Sequence, residues 1–145
     1  MLDPQGGQCR GIDDIVRIVR GQVATEDALA RQANRVLICD TDVLTSTVWS
    51  DILFGDTLAW IRQLADARNY DLYLLCDVDV PWVDDNQRFF GQEKVRREMF
   101  ERFRASLDQR GRKYQIIRGD WPARFAAARD AIAALIDDNG AGRGR

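Results

Sequence analysis

Two short apolar runs, each closed by an acid, constrain this chain more than any other feature. They are Val36-Leu37-Ile38-Cys39-Asp40 and Leu72-Tyr73-Leu74-Leu75-Cys76-Asp77. A third run, Tyr114-Gln115-Ile116-Ile117-Arg118, follows later. Short runs without polar alternation read as strands covered on both faces, the habit of parallel sheets. The segments between them have helical spacing. Ile12 to Asn34 reads as a helix broken or bent near Gly21, and Asp42 to about Phe54 as a second. Asp56 or Thr57 is placed to cap a third, running to Arg68. From Gln92 to Gln109, Val95, Met99, Phe103 and Leu107 recur every four residues on one face, and Gly111 is the expected stop. Asp120 is placed to cap a last helix carrying Trp121, Phe125, Ile132 and Ile136. Strands alternating with helices predict an α/β fold with a mainly parallel sheet. The expected organisation is an irregular segment 1–11, one α/β domain over 12–138 and a flexible tail 139–145 rich in Gly and Arg.

Composition narrows the chemistry. The 145 residues carry 21 basic and 23 acidic side chains, a formal charge of −2, against the basic excess of a general nucleic-acid binder. No apolar run reaches the roughly eighteen residues that suggest a membrane span. The first fifteen residues hold acids, glycines and a proline with no apolar core, so no secretory signal is read there and the cytoplasm is the expected compartment. Histidine is absent, which removes Ser-His-Asp and Cys-His nucleophile systems and imidazole metal sites. Proton transfer falls to a carboxylate, Lys, Tyr or Cys. Cys9, Cys39 and Cys76 are widely spaced, without a CxxC pair. Cys39 and Cys76 end apolar runs and are expected to be buried free thiols.

Ligands of parallel sheets bind beyond the carboxyl ends of the strands. Asp40–Asp42, Asp77–Asp79 and Gly119–Asp120 all fall at that edge. Asp40-Thr41-Asp42 sets two carboxylates just past a strand, suited to a metal held through water, a hydroxyl proton or ribose hydroxyls. Asp42 also suits a plain helix cap. The acidic, Trp-containing stretch from Asp77 to Arg88 fits either a loop over a ligand or a solvated turn. Arg88, Arg96 and Arg97 have the paired donors that clamp phosphate, although a run of arginines also suits a solvated helix face. Among the four tryptophans, Trp60 and Trp121 sit on apolar helix faces and are expected in the core. Trp49 and Trp82 follow strand ends and are better placed to stack on an aromatic ligand.

An apolar strand followed by Asp40-x-Asp42 also resembles the first motif of haloacid dehalogenase-type phosphatases. That chemistry needs a later lysine and then an acidic pair. Asp84-Asp85 precedes both lysines, Lys94 and Lys113. Asp137-Asp138 follows them, but at a predicted helix end.

Three stretches together resemble the ribosylnicotinamide kinase domain of NadR-type proteins, an AAA-like ATPase/kinase domain of NAD salvage. They are Val36 to Ser50 (VLICDTDVLTSTVWS), Tyr70 to Asp85 (YDLYLLCDVDVPWVDD) and Ile117 to Arg124 (IRGDWPAR). The resemblance runs from about Ile15 to Ile136, and the order and spacing of the stretches make it specific. It implies a P-loop-kinase-like three-layer parallel sheet. The implied reaction moves the ATP γ-phosphoryl group to the 5′-hydroxyl of nicotinamide riboside, with magnesium. Asp40 and Asp42 would lie beside the riboside and the magnesium, with Asp40 the better candidate to take the hydroxyl proton. Trp49, Asp79 and Trp82 would meet the substrate, and Arg88, Arg96 and Arg97 the phosphates. Gly119 and Asp120 would lie near the nucleotide.

The sequence departs from that family at one decisive point. P-loop kinases carry GxxxxGK[ST], whose backbone N–H groups and lysine cradle the phosphates. None of the 11 glycines here is followed by lysine. The resemblance starts downstream of that loop, so the first strand, the loop, its helix and the second strand are expected to be missing. Strand edges left without partners are costly. The sheet therefore closes up at about 4.8 Å spacing, or a partner chain fills the gap, or the protein is unstable alone. The expectation is a truncated kinase-family protein inactive by itself. The alternative is a P-loop-less relative that binds a nucleoside or complements a partner supplying the loop.

Overall fold

A computed structural model describes residues 11–81 and 92–142, with side chains described as far as residue 138. Five helices and two strands form in the order α1 (Ile12–Ala30), α2 (Val43–Phe54), α3 (Ala59–Ala67), β1 (Tyr73–Cys76), α4 (Glu93–Gln109), β2 (Tyr114–Ile117) and α5 (Trp121–Gly142). They fall into two compact units, Met1–Asn69 and Tyr70–Arg145.

The first unit is helical. α1 runs unbroken through Gly21 and buries Ile15 and Val19. α2 packs against both α1 and α3, so it is buried on more than one side. That explains its composition: Val43, Leu44 and Val48 share the interior with Ser46, Thr47 and Ser50. Each buried hydroxyl has a partner, as burial demands. Ser46 bonds Gln22 of α1 (3.0 Å), Thr47 bonds Leu44 O (2.7 Å) and Ser50 bonds Asp56 O (2.7 Å). Asp42 caps α2, accepting from Thr45 N at 2.8 Å and Thr45 Oγ1 at 2.7 Å. Gly55 closes it in the left-handed conformation. Leu58 occupies the N-cap position of α3, in place of the expected Asp56 or Thr57. Asp56 accepts from Thr57 N instead, and Thr57 Oγ1 lies within bonding distance of both Thr47 O and Asp51 Oδ1. Arg68 ties the end of α3 to Glu26 and Asp27 of α1 at 2.8 and 2.7 Å.

The apolar run Val36–Asp40 is not a strand. Its unit offers it no strand among the described residues, and a lone strand leaves its backbone groups unpaired. Ile38 is 68% exposed. The mixed α/β class holds, but the sheet among the described residues is two parallel strands.

The second unit holds that pair, with Tyr73 opposite Tyr114 and Cys76 opposite Ile117. α5 packs on β2, and α4 buries Phe100 and Leu107. Val95, Met99 and Phe103 are half-buried. Three burial expectations fail. Cys39 and Cys76 are exposed thiols. Trp121 and Phe125 stand out from the first turns of α5, at 74% and 72% exposure. Trp60 is partly exposed beneath the Arg20 guanidinium, 6.0 Å from its ring centre. A helical apolar face predicts what a helix can bury, but the partner surface decides what it does bury. Segment 1–11 lies outside the described residues except for Gly11, and α5 continues past Asn139.

Candidate functional site

The carboxyl end of the β1–β2 pair gathers charge. Asp77 directly follows β1, and its carboxylate is 5% exposed. It accepts from Val78 N, from Arg97 Nη1 on one oxygen and from Arg118 Nε on the other, each at 2.7 Å. Burial pushes this carboxyl up, but the Val78 N–H and the two arginines outweigh it and hold it below the usual carboxylate range. The register explains the pairing. Cys76 lies opposite Ile117, so Asp77 and Arg118 are the next pair along.

Asp79 is tied to the same edge. Its Oδ2 accepts from Gly119 N at 2.8 Å, and its Oδ1 from Arg124. The Gly119 N–H does most to lower this carboxyl; desolvation raises it, and Arg124 adds to the lowering, which prevails. Arg124 is buried, and also donates to Gly119 O at 2.8 Å and Asp77 O at 2.9 Å. It locks the ends of both strands. Gly119 has φ +94°, and a Cβ there would lie 3.1 Å from Ala123 Cβ. The close start of α5 therefore requires glycine on both counts. Asp120 caps α5, accepting from Ala123 N at 2.9 Å.

Arg96 and Arg97 open the second turn of α4. Arg96 reaches back to Val78 O and Val80 O at 3.4 and 3.3 Å. Arg97 lies over the Phe100 ring at 5.5 Å and holds Asp77. The second unit thus brings together Asp79, Arg96, Arg97, Gly119 and Asp120 among the residues singled out from sequence. It adds Asp77, Arg118 and Arg124 as their supports. Trp82 and Arg88 lie outside the described residues.

In the first unit, Asp40 is exposed and makes no hydrogen bond among the described residues. Asp42 is buried and its Oδ1 is taken by the α2 cap. Between them Thr41 has φ +68°, uncommon for a β-branched residue. Gln22 bonds its hydroxyl at 2.8 Å and accepts from Ser46 through its other amide atom, which holds the turn on α1. Trp49 is half-buried on α2. No group of three or more potential metal ligands occurs among the described residues. A magnesium ion keeps most of its water and needs one or two carboxylates, and of this pair Asp40 is the more available donor.

Asp137 and Asp138 lie within α5 and follow no strand, so the late acidic pair of a phosphatase is not formed. No helix among the described residues is long and apolar enough to cross a membrane.

Two curated relatives are the trifunctional NAD biosynthesis/regulator proteins NadR of Escherichia coli (strain K12) and Salmonella typhimurium (strain LT2). Each is 23% identical, over 126 and 128 residues, which is 86% and 88% of this chain. The chain spans 31% of the length of each. A family model described as an AAA domain matches residues 2–124. That match takes in the Asp40–Asp42 turn, both strands and the Asp77–Arg118 edge, and on it the chain belongs to the AAA-domain family.

Proposed function

We propose that this chain is the acceptor-binding part of an ATP-dependent kinase acting on nicotinamide riboside in NAD salvage, and that these 145 residues do not turn over ATP alone. The observation that supports the reading best is the extent of the match. Alignment to the NAD biosynthesis proteins extends over 86% and 88% of the chain, a span long enough to take in the Asp40–Asp42, Asp77–Asp79 and Gly119–Asp120 segments of this sequence in one stretch.

In this reading Asp40 accepts the proton of the riboside 5′-hydroxyl as its oxygen attacks the γ-phosphorus and the bond to the departing ADP breaks. Asp42 holds the turn that presents Asp40, and Trp49 stacks on the pyridine ring. Asp79 and Trp82 meet the riboside, while Arg88, Arg96 and Arg97 gather the phosphates. Gly119 and Asp120 border the nucleotide. Magnesium, when bound, neutralises phosphate charge and draws the reacting oxygens together. The phosphate loop is the part these residues do not contain, so it must come from chain beyond them or from a partner carrying GxxxxGK[ST].

The test combines calorimetric binding of nicotinamide riboside with an ATP-dependent phosphorylation assay on the purified 145-residue protein. The expected result is riboside binding that Asp40→Ala abolishes, with no mononucleotide formed. Robust phosphorylation by this protein alone overturns the claim of inactivity. No riboside binding, or binding indifferent to Asp40→Ala, overturns the assignment of substrate.

A further inference from the structure

We infer that Arg97 and Arg118, held apart by the single carboxylate of Asp77, form a two-armed clamp for a phosphate-type oxyanion at the carboxyl end of the β1–β2 pair. This deepens the phosphate part of the proposed function, and rests on that reading only for which phosphate compound arrives there.

The argument is one of unfilled forks. A guanidinium binds a carboxylate best through two parallel N–H bonds. Other arginines of this chain use more than one donor. Arg62 places Nη1 and Nη2 on Asp51, Arg129 places Nε and Nη2 on Asp130, and buried Arg124 donates to three acceptors. Asp77 does otherwise. It gives one oxygen to Arg97 Nη1 and the other to Arg118 Nε. Arg97 Nη2 and both terminal nitrogens of Arg118 keep their donors unpaired among the described residues. These two side chains are 45% and 61% exposed, while the carboxylate that fixes them is buried.

Two cations on one anion leave a net positive charge at the edge. A carboxylate ligand has two oxygens and suits one fork. A tetrahedral oxyanion offers acceptors to both arms at once, and arginine forks match its geometry. The clamp thus selects phosphate, and above all a polyphosphate. Asp77 is a positioning residue in this arrangement. Arg118 directly follows β2, and by position alone it resembles solvent-facing charge.

The test is calorimetric titration of the full 145-residue protein with inorganic tripolyphosphate at low salt, with succinate as the carboxylate control. Wild type is expected to bind tripolyphosphate saturably and succinate weakly. Arg118→Ala and Arg97→Ala should each weaken binding about tenfold or more. Arg118→Lys keeps the charge, loses the fork and should recover only part of the affinity; it also serves if Arg118→Ala does not fold. Arg129→Ala, which removes a paired surface cation, should leave affinity unchanged. Asp77→Asn separates positioning from plain charge. Weaker binding supports the clamp, whereas tighter binding shows that the carboxylate merely repels the anion. No binding by wild type, equal binding of succinate, or indifference to both arginine changes overturns the proposal. Tripolyphosphate binding without riboside binding leaves the clamp standing and removes the proposed substrate.

Discussion

Asp77 feels two opposing pressures, and the balance between them is measurable. Burial favours its neutral form, while Val78 N–H and two guanidinium groups favour the anion and prevail. A carboxyl lowered in the folded state stabilises the fold above its unfolded value of about 3.9 and loses that contribution as pH falls through the lowered value. Asp77→Asn should therefore melt below wild type from about pH 8 to about pH 5, by roughly 1–2 kcal/mol given the exposure of both arginines. The gap should close at more acid pH, where wild-type Asp77 is protonated as well. Thermal melts of both proteins across that range check it; a gap that persists undiminished at about pH 2 would assign the effect to packing. Part of this cluster is legible in the sequence. Asp77 and Arg118 each follow an apolar run directly, and two parallel strands of equal length put their following residues side by side. Which oxygen meets which nitrogen is set by side-chain torsions, and no spacing encodes those.

At the scale of elements, α2 joins the helical packing of the first unit to the Asp40–Asp42 turn. Its cap gives Asp42 a structural duty that the paired-carboxylate motif does not distinguish from chemistry. Asp42→Ala should cost about 1 kcal/mol of stability, the usual loss when an N-cap is removed. Asp40→Ala should leave melting unchanged while removing riboside binding. Measured side by side, equal melting temperatures for the two variants would contradict the capping role. α4 is legible because Val95, Met99, Phe103 and Leu107 recur every four residues, and Asp42, Asp120 and Gly111 mark the ends of α2, α5 and α4. Val36–Asp40 departs from its strand pattern for a physical reason. An apolar run records a tendency to be buried, whereas a strand also needs a neighbour to take its N–H and C=O groups. The first unit supplies helices alone among the described residues. Trp121 and Phe125 mislead in the same way, since spacing of four places them on one helix face without saying what covers it.

At the scale of the whole molecule, charge decides which phosphates the chain can hold. Nearly all its cations are arginine, with Lys94 and Lys113 the exceptions. Many are already matched by acids: Arg62 with Asp51, Arg68 with Glu26 and Asp27, Arg104 with Glu101, Arg124 with Asp79 and Arg129 with Asp130. With a formal charge of −2, little free positive charge is left for a long anionic polymer. Duplex DNA presents a phosphate about every 1.7 Å along its axis, and affinity grows with each one neutralised. Two arms around Asp77 neutralise one or two at most. The chain should accordingly bind tripolyphosphate at low salt yet show no binding to duplex DNA at about 0.15 M salt, where the Debye length is near 8 Å. Fluorescence anisotropy with a labelled duplex measures this directly. Saturable binding with a steep salt dependence would mean that the arginines act as one extended surface instead of a local clamp. Flat anisotropy together with tripolyphosphate binding would place recognition in the geometry of a single edge, where a net-acidic protein can still present a cationic site.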